Sequence, residues 1–388
     1  MPRFRTTLAF AAIIGATSLV VHGEAQQNRS RRTYGPGQCG PADPSYIQIA
    51  NETGGQPFFL SPLELPRSAQ VMNATSGSDS ALVVWASGTV PGSSRDVPIP
   101  IDSTIRRITI GASFDTKGGT LTIAPPNGKT EAGITEDAVL NCGRVATIDA
   151  PPTGAWHARL TATGRYWLTA HARSDLDVVT SEFMREGGRP GHEGLFRIAG
   201  QPIAGEPATL RVVMTDEEVK SSQFSFVSMQ GDTLGEVNLG AEGDHEFGGS
   251  VTLPGEPFRA AVTGLDATGA PYQRLHAGLF RAESVEVTMP AGDDSLKAGT
   301  STEISCTIRN AGPPAMFHII AADGRRYVKS VDPQEVTIAT GASVVVKIRV
   351  AVPGHAVDGE GVDITVTASS ETPRATTNGT TRHFTIAR

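Results

Sequence analysis

The chain has 388 residues, 39% of them hydrophobic, and a formal charge of −7. That length exceeds one ordinary hydrophobic core, so about two to four domains are expected, and an acidic chain without a long basic run argues against nucleic acid as a partner. With 43 glycines, 26 prolines and few apolar runs at helical spacing, the composition favours short strands and many turns, an all-β chain.

At the N-terminus, Arg3 and Arg5 precede an apolar run from Leu8 to Val21, and Gly23-Glu24-Ala25 forms a small-residue site before Gln26. This is the layout of a cleaved secretory signal over residues 1–25 and predicts a secreted protein, extracellular or periplasmic. The run of about 14 mostly apolar residues is short of a membrane span. No other stretch could cross a bilayer, so no membrane span is expected after cleavage. Residues 26–44 are polar, rich in Gly and Pro, and carry Arg29, Arg31 and Arg32, which predicts a disordered lead-in. Residues 45–79 open with SYIQIANETGGQPFFL, which reads as a short helix, a stop at Gly54-Gly55 and a small apolar strand.

The next stretch, 80–180, offers strands at Ala81–Trp85, Thr104–Ala112, Thr120–Ala124, Arg144–Ile148, Trp156–Thr161 and Arg165–Arg173, separated by Gly, Pro and Asn turns. That spacing predicts a sandwich. Alternation places Trp156, Ala158 and Leu160 on a core face. In GRYWLTAHA, Tyr166, Leu168 and Ala170 form the apolar face, leaving Trp167 with Arg165, Thr169 and His171 on the other. An indole flanked by a cation and an imidazole could stack on a ligand ring, so Trp167, Arg165 and His171 are the candidate ligand-binding residues. The alternative is that Trp167 packs under a loop or a neighbouring domain.

Residues 189–282 contain LFRIAG, ATLRVVM, QFSFVSM, EVNLG and SVTL, then LPGEPFRAAVTGLDATGAPYQR, where Phe258, Ala260 and Val262 alternate with Arg259, Ala261 and Thr263. Residues 283–388 read as a further sandwich, with Val344, Val346, Ile348 and Val350 as an inward face. Three cysteines in an exported chain suggest one pair and one left over. In EISCTIRN, Ile304, Cys306 and Ile308 share a strand face, so Cys306 reads as a buried core residue. That leaves Cys39 with Cys142 as the disulfide, two free thiols being the alternative; a bond closing a loop of about 100 residues could contribute about 4 to 5 kcal/mol.

Motifs for chemistry are sparse. His192-Glu193 and His245-Glu246 lack the spacing that puts two imidazoles on one helical face for zinc. Asp358, Glu360 and Asp363 could hold calcium, but charged loop residues are usually just solvated. No Gly-x-Ser-x-Gly elbow or phosphate-cradling loop occurs. Neither a catalytic site, a metal site nor a cofactor is expected.

Several phrases carry a resemblance. The "PFR..V.G.D..G.PYQR" of 257–274 resembles the ending of the Ig-like domain that follows the von Willebrand A domain in hemicentins and related proteins. VPIPIDSTIRRITI, LTIAPPNGK and PPTGAWHARLTATGRYWLTAHA resemble the galactose-binding-like domain of the same region. TIRNAGP and VDPQEVTIATGASVVVKIRVAVP resemble Ig-like domains of bacterial surface proteins and of von Willebrand A-domain relatives. IA..TGGQ.F.L, within 49–60, resembles the end of an A domain, but such a domain needs roughly two hundred residues. The A domain itself is missing here, and no Asp-x-Ser-x-Ser motif occurs, Ser78-Asp79-Ser80 being too short a match, so its metal-dependent adhesion site does not carry over.

The resemblance implies tandem β-sandwiches, jelly-roll-like over 80–180 and then two Ig-like over 189–282 and 283–388. Jelly-roll kinship names a fold and implies no sugar ligand by itself. The expected function is an exported, non-catalytic adhesion or interaction protein whose partner is an extracellular protein or glycan. The alternatives are a carbohydrate-binding module protein and a secreted hydrolase with an unrecognised site.

Overall fold

The computed structural model describes residues 39, 43–75, 80–90, 94–126, 128, 131, 133–187, 191, 193–215, 218–290, 292 and 294–388. The expected signal segment, most of the lead-in, Ser78, Asp79 and His192 lie outside these residues. The chain divides into two compact units, Arg31–Ala282 and Glu283–Arg388. Both are β-sandwich structures, and among the described residues the helices are few and short. Among the described residues no helix is long and apolar enough to cross a membrane.

The larger unit begins with helices Pro44–Glu52 (α1) and Ser68–Thr75 (α2). Its strands are Ser80–Thr89 (β1), Arg95–Ile101 (β2), Ile105–Phe114 (β3), Thr120–Ala124 (β4), Glu136–Leu140 (β5), Gly143–Asp149 (β6), Gly154–Thr161 (β7), Arg165–Ser174 (β8) and Val178–Gly187 (β9). Gly194–Arg197 (β10), Ala208–Met214 (β11), Val219–Ser228 (β12), Thr233–Val237 (β13), Gly240–Gly243 (β14), Glu246–Val251 (β15), Phe258–Asp266 (β16) and Pro271–Leu275 (β17) complete it. One nine-stranded sheet, ordered β13-β12-β16-β17-β1-β8-β3-β6-β5, runs through the strands of both stretches that the sequence separates at 180–189. Its seam is the antiparallel pairing of β1 with β17 at Leu82 and Leu275.

Two smaller sheets cover one face of the long one. Sheet β2-β7-β4 packs over the β1, β8, β3 and β6 half, closing a core with Ile99, Ile101, Trp156, Leu160, Tyr166 and Leu168. Sheet β10-β9-β11-β15-β14 covers the other half, around Phe183, Leu210, Phe224, Phe226, Phe258 and Tyr272. Strand β2, with Pro98 and Pro100, is an edge strand, where the missing proline N–H groups cost no ladder bond. In β1 the register shifts between Leu82 and Val84. An extra residue inserted there lets Val83 and Val84 both join the first core while Leu82 and Trp85 stay together on the opposite face.

The smaller unit packs two sheets around one core. Its strands are Val285–Thr288 (β18), Ser295–Lys297 (β19), Ser301–Asn310 (β20), Ala315–Asp323 (β21), Val328–Asp332 (β22), Glu335–Ile338 (β23), Ser343–Ala351 (β24), Gly361–Ser370 (β25) and Thr376–Ala387 (β26). They order as β18-β20-β24-β22 and β19-β26-β25-β21-β23. Val346, Ile348 and Val350 are buried with Ile304, Cys306 and Ile308 from β20, and Val344 packs partly buried against them. Cys306 lies beside Val346 in the same sheet, both fully buried in the core. Burial pushes the Cys306 thiol up to about 12. In the folded chain this thiol is therefore expected to resist iodoacetamide at pH 8, with one thiol labelled only after unfolding, as intact mass would report. The Asn of TIRNAGP has a plain structural task. Buried Asn310 donates to Pro313 O at 2.7 Å and Ile338 O at 2.9 Å and accepts from Gly312 N at 2.9 Å, fixing the β20–β21 turn.

Candidate functional site

The charged residues of the 257–274 phrase converge on the β16–β17 hairpin. Arg274 is fully buried and forms an ion pair with Asp102 at 2.8 Å. Its Nε donates to Leu176 O, Nη1 to Asp102 and to Gln273 O, and Nη2 to the Thr104 and Ser174 hydroxyls. All five guanidinium protons are thereby used, the condition under which a cation can be buried without a dangling donor. Asp102 also accepts from Thr104 N at 3.0 Å. The pair thus ties β17 to the β2–β3 turn and to the junction after β8.

Asp266 works at the other end of the hairpin. Burial alone would raise its pKa, but hydrogen bonds from the Ser103 side chain and backbone, Thr268 and Ala270 outweigh it and hold the carboxylate far below its usual range. Its Oδ2 takes Ser103 N at 2.8 Å and Ser103 Oγ at 2.6 Å. Oδ1 closes the turn from Thr268, Gly269 and Ala270. Gly264 is required beside it, since a Cβ there would lie 1.9 Å from Ser221 O. Tyr272 completes the set with its hydroxyl 2.8 Å from Ser222 Oγ. The hub is a joint between the two cores, and its polar groups are occupied by one another.

The face of the nine-stranded sheet opposite the small sheets carries Leu82, Trp85, Trp167, Val227, Ala261 and Leu275. The segment 43–67 lies across it as a strap. Helix α1 starts where Asp43 caps Ser45 N at 2.9 Å and Pro44 enters the first turn, and it stops at Gly54, whose φ of +73° suits glycine. A Cβ on Gly54 would also come within 2.9 Å of Ala277. Residues 55–60 continue as extended chain without joining a ladder, so the helix expected from the sequence forms and the small strand does not.

The strap meets the sheet mainly through polar bonds. Gln56 donates to Ser113 Oγ and to Trp167 O, both at 3.1 Å, and accepts from Thr169 Oγ1 at 2.7 Å. Gly111 makes room for it, because a Cβ there would lie 2.7 Å from Gln56 Oε1. Replacing Gln56 by Ala is expected to cost about 1 to 3 kcal/mol, chiefly from the Ser113 and Thr169 hydroxyls left unpaired, measurable by urea denaturation. Trp85 Nε1 donates to Gly55 O at 2.9 Å. Arg259 lies over the Trp85 ring at 4.4 Å and donates to Ala277 O and to Asn51 O of the strap. Burial first, and Arg281 second, push the Arg259 pKa down to about 9.

The candidate ligand-binding residues lie in this face. Trp167 is 3% exposed, stacks at 5.6 Å on Phe59 of the strap and donates to Asn51 Oδ1 at 3.1 Å. Arg165 approaches the indole at 5.5 Å while bonding Asp115 at 3.2 Å. His171 is kept neutral by burial, its pKa pushed down to about 4, and its Nδ1 has no partner. The chain's own strap therefore covers Trp167, which packs under another segment of the chain as the alternative to a stacked ligand ring has it. Cys39 and Cys142 form a disulfide with Cα atoms 5.9 Å apart. Among the described residues no group of three or more His, Cys, Asp or Glu side chains could hold a metal. Of the candidate calcium ligands, Glu360 pairs with Arg325 at 2.5 Å, Asp363 with His383 at 2.8 Å, and Asp358 accepts from Arg388 N at 3.1 Å.

Set beside known proteins, the smaller unit is the informative one. Residues 286–388 match the family described as VWA7 Ig-like domain. That unit is therefore an Ig-like region of the kind associated with von Willebrand A domains. No curated protein matches the chain. Among solved structures, Bacillus licheniformis lipase BlEst2 in its propeptide form aligns at 12% identity and TM-score 0.25 over 55% of this chain and 45% of its own. Escherichia coli α2-macroglobulin activated by porcine elastase aligns at 10% identity and TM-score 0.24 over 80% of this chain and 33% of its own. The chain thus spans less than half of either protein, and likeness at these TM-scores carries no argument.

Proposed function

We propose that the chain is an exported, non-catalytic adhesion or interaction protein that presents β-sandwich surfaces to an extracellular protein or glycan. The observation that carries this reading is the match of residues 286–388 to an Ig-like domain family of von Willebrand A-associated proteins. Two features support it. The N-terminal layout of Arg3, Arg5, the apolar run and Gly23-Glu24-Ala25 is that of a secretory signal. The buried charges Asp102, Asp266 and Arg274 are saturated by bonds that hold the fold, leaving them no free atoms for substrate. On this reading residues 80–180 and 189–282 correspond to the galactose-binding-like and Ig-like domains that follow an A domain in hemicentin-like proteins.

Full-length protein produced with its own leader tests the proposal. Recovery outside the cytoplasm as a mature chain beginning at Gln26, with saturable binding to a purified panel of extracellular proteins and polysaccharides, is the expected result. Turnover of ester, peptide or glycoside substrates by the purified chain, or retention of the leader in the cytoplasm, would overturn it.

A further inference from the structure

Both ends of the strap are fastened to one place, the turn between β5 and β6. At its start, Cys39 is bonded to Cys142, and Cys39 N donates to Asp115 O at 3.0 Å. At its end, Glu64 accepts from Asn141 N at 2.6 Å and from Ser61 N at 2.9 Å, and Arg67 donates to Val139 O at 2.6 Å. Between these points the chain crosses to the far side of the sheet, where Leu279 N donates to Glu52 O and Arg281 pairs with Glu52 at 3.1 Å, and then returns through Gln56.

What lies between the fastenings is held by polar bonds and by few buried apolar contacts. Helix α1 buries none of its residues, and Tyr46 and Ile49 face solvent. The two large cores of this unit contain no strap residue. The strap contributes only partly buried Ile47 and Phe59 to the Trp85–Trp167 cluster, and Phe58 and Leu60 to the one around Val71 and Val145. A segment with few buried apolar contacts sits at the low end of local stability, so its opening need not involve the cores.

We infer that Cys39 and residues 43–60 form a redox-latched strap: the Cys39–Cys142 bond holds it over the Trp85 and Trp167 face, and reduction releases it while both sandwich cores stay folded. The inference is independent of the proposed function. In the step itself a dithiol gives two electrons and two protons. The Cys39–Cys142 bond breaks, both sulfurs become thiols, and the reductant closes to its own disulfide. With the sulfur bond gone, the strap keeps only its Glu64 and Arg67 end at the turn, and α1 is the part free to peel away.

Hydrogen exchange on the full chain, with and without dithiothreitol, reads this directly. Amides of residues 45–60 are expected to exchange at least about tenfold faster after reduction, a loss equivalent to only part of the constraint a long disulfide loop imposes. Amides of β1, β3 and β8 are expected to keep their protection. Cys39→Ser/Cys142→Ser should reproduce the reduced pattern without reductant. Acrylamide quenching of a Trp156→Phe chain, whose remaining indoles are Trp85 and Trp167, should rise in parallel. Unchanged exchange in 45–60 once both thiols are confirmed free would overturn the latch. So would equal loss of protection in β1, β3 and β8, which would make the bond a staple for the whole unit.

Discussion

Arg274→Met is expected to destabilise the folded chain by about 3 to 5 kcal/mol, because it leaves Asp102 charged and buried with only Thr104 to bond. Asp102→Leu should cost a similar amount by stranding the guanidinium. Joint replacement is the more telling experiment. Where a buried pair is removed together and the space is filled with apolar atoms, both desolvation penalties disappear, so Arg274→Met/Asp102→Leu should regain more than half of either single loss. Urea midpoints of the four proteins measure this. A double variant as unstable as the summed singles would show that the bonds from Arg274 to Leu176 O and to the Ser174 and Thr104 hydroxyls matter more than the charge pair.

The same residues show what sequence could and could not disclose. Period-two alternation correctly separates Trp156 and Tyr166, which face a sandwich core, from Trp167, which does not. It cannot say what covers the second face, because alternation reports only which side chains share a side. The covering segment is the strap, separated from Trp167 by more than a hundred residues and bonded to it through Asn51 and Gln56. A local trace existed in Gly111, a lone glycine inside the strand pattern ITIGAS, where close approach of another chain is the usual physical reason.

Strand β2 was hidden by its two prolines, since their tolerance at an edge depends on knowing which strand is at the edge. The phrase 257–274 was legible by its alternation from Phe258 to Thr263, which β16 spans. Its Arg259, Asp266 and Arg274 reach partners at Asn51, Ser103 and Asp102, contacts that only the folded topology creates.

Acid is expected to destabilise the protein through two half-buried histidines of the larger unit. His276 stacks on Phe280 at 5.7 Å and accepts Gly278 N–H at 3.2 Å, with Arg259 and Arg197 the cations that act on it. Burial first, and Arg259 next, push its pKa down to about 4. His171 is pushed to about 4 by burial alone. An unfolded histidine titrates near 6.5. The unfolded chain therefore binds more protons between pH 6.5 and 4, so the stability each neutral imidazole supplies is complete above about 6.5 and falls as pH drops toward 4. Each is worth about 3 kcal/mol over that window.

Asp177 acts in the opposite sense. Burial raises its carboxyl to about 6, against a weaker lowering by the Val178 amide and Arg274. The fold then holds a proton there that the unfolded chain releases, adding about 3 kcal/mol as pH falls from 6 to 4. The three groups together predict a net loss of about 3 kcal/mol between pH 6.5 and 4. His276→Gln and His171→Gln should each flatten the profile and Asp177→Asn should steepen it, as urea midpoints across pH 4 to 7 would show. A profile unchanged by both histidine replacements would mean that water reaches these imidazoles and lets them titrate as they do in the unfolded chain.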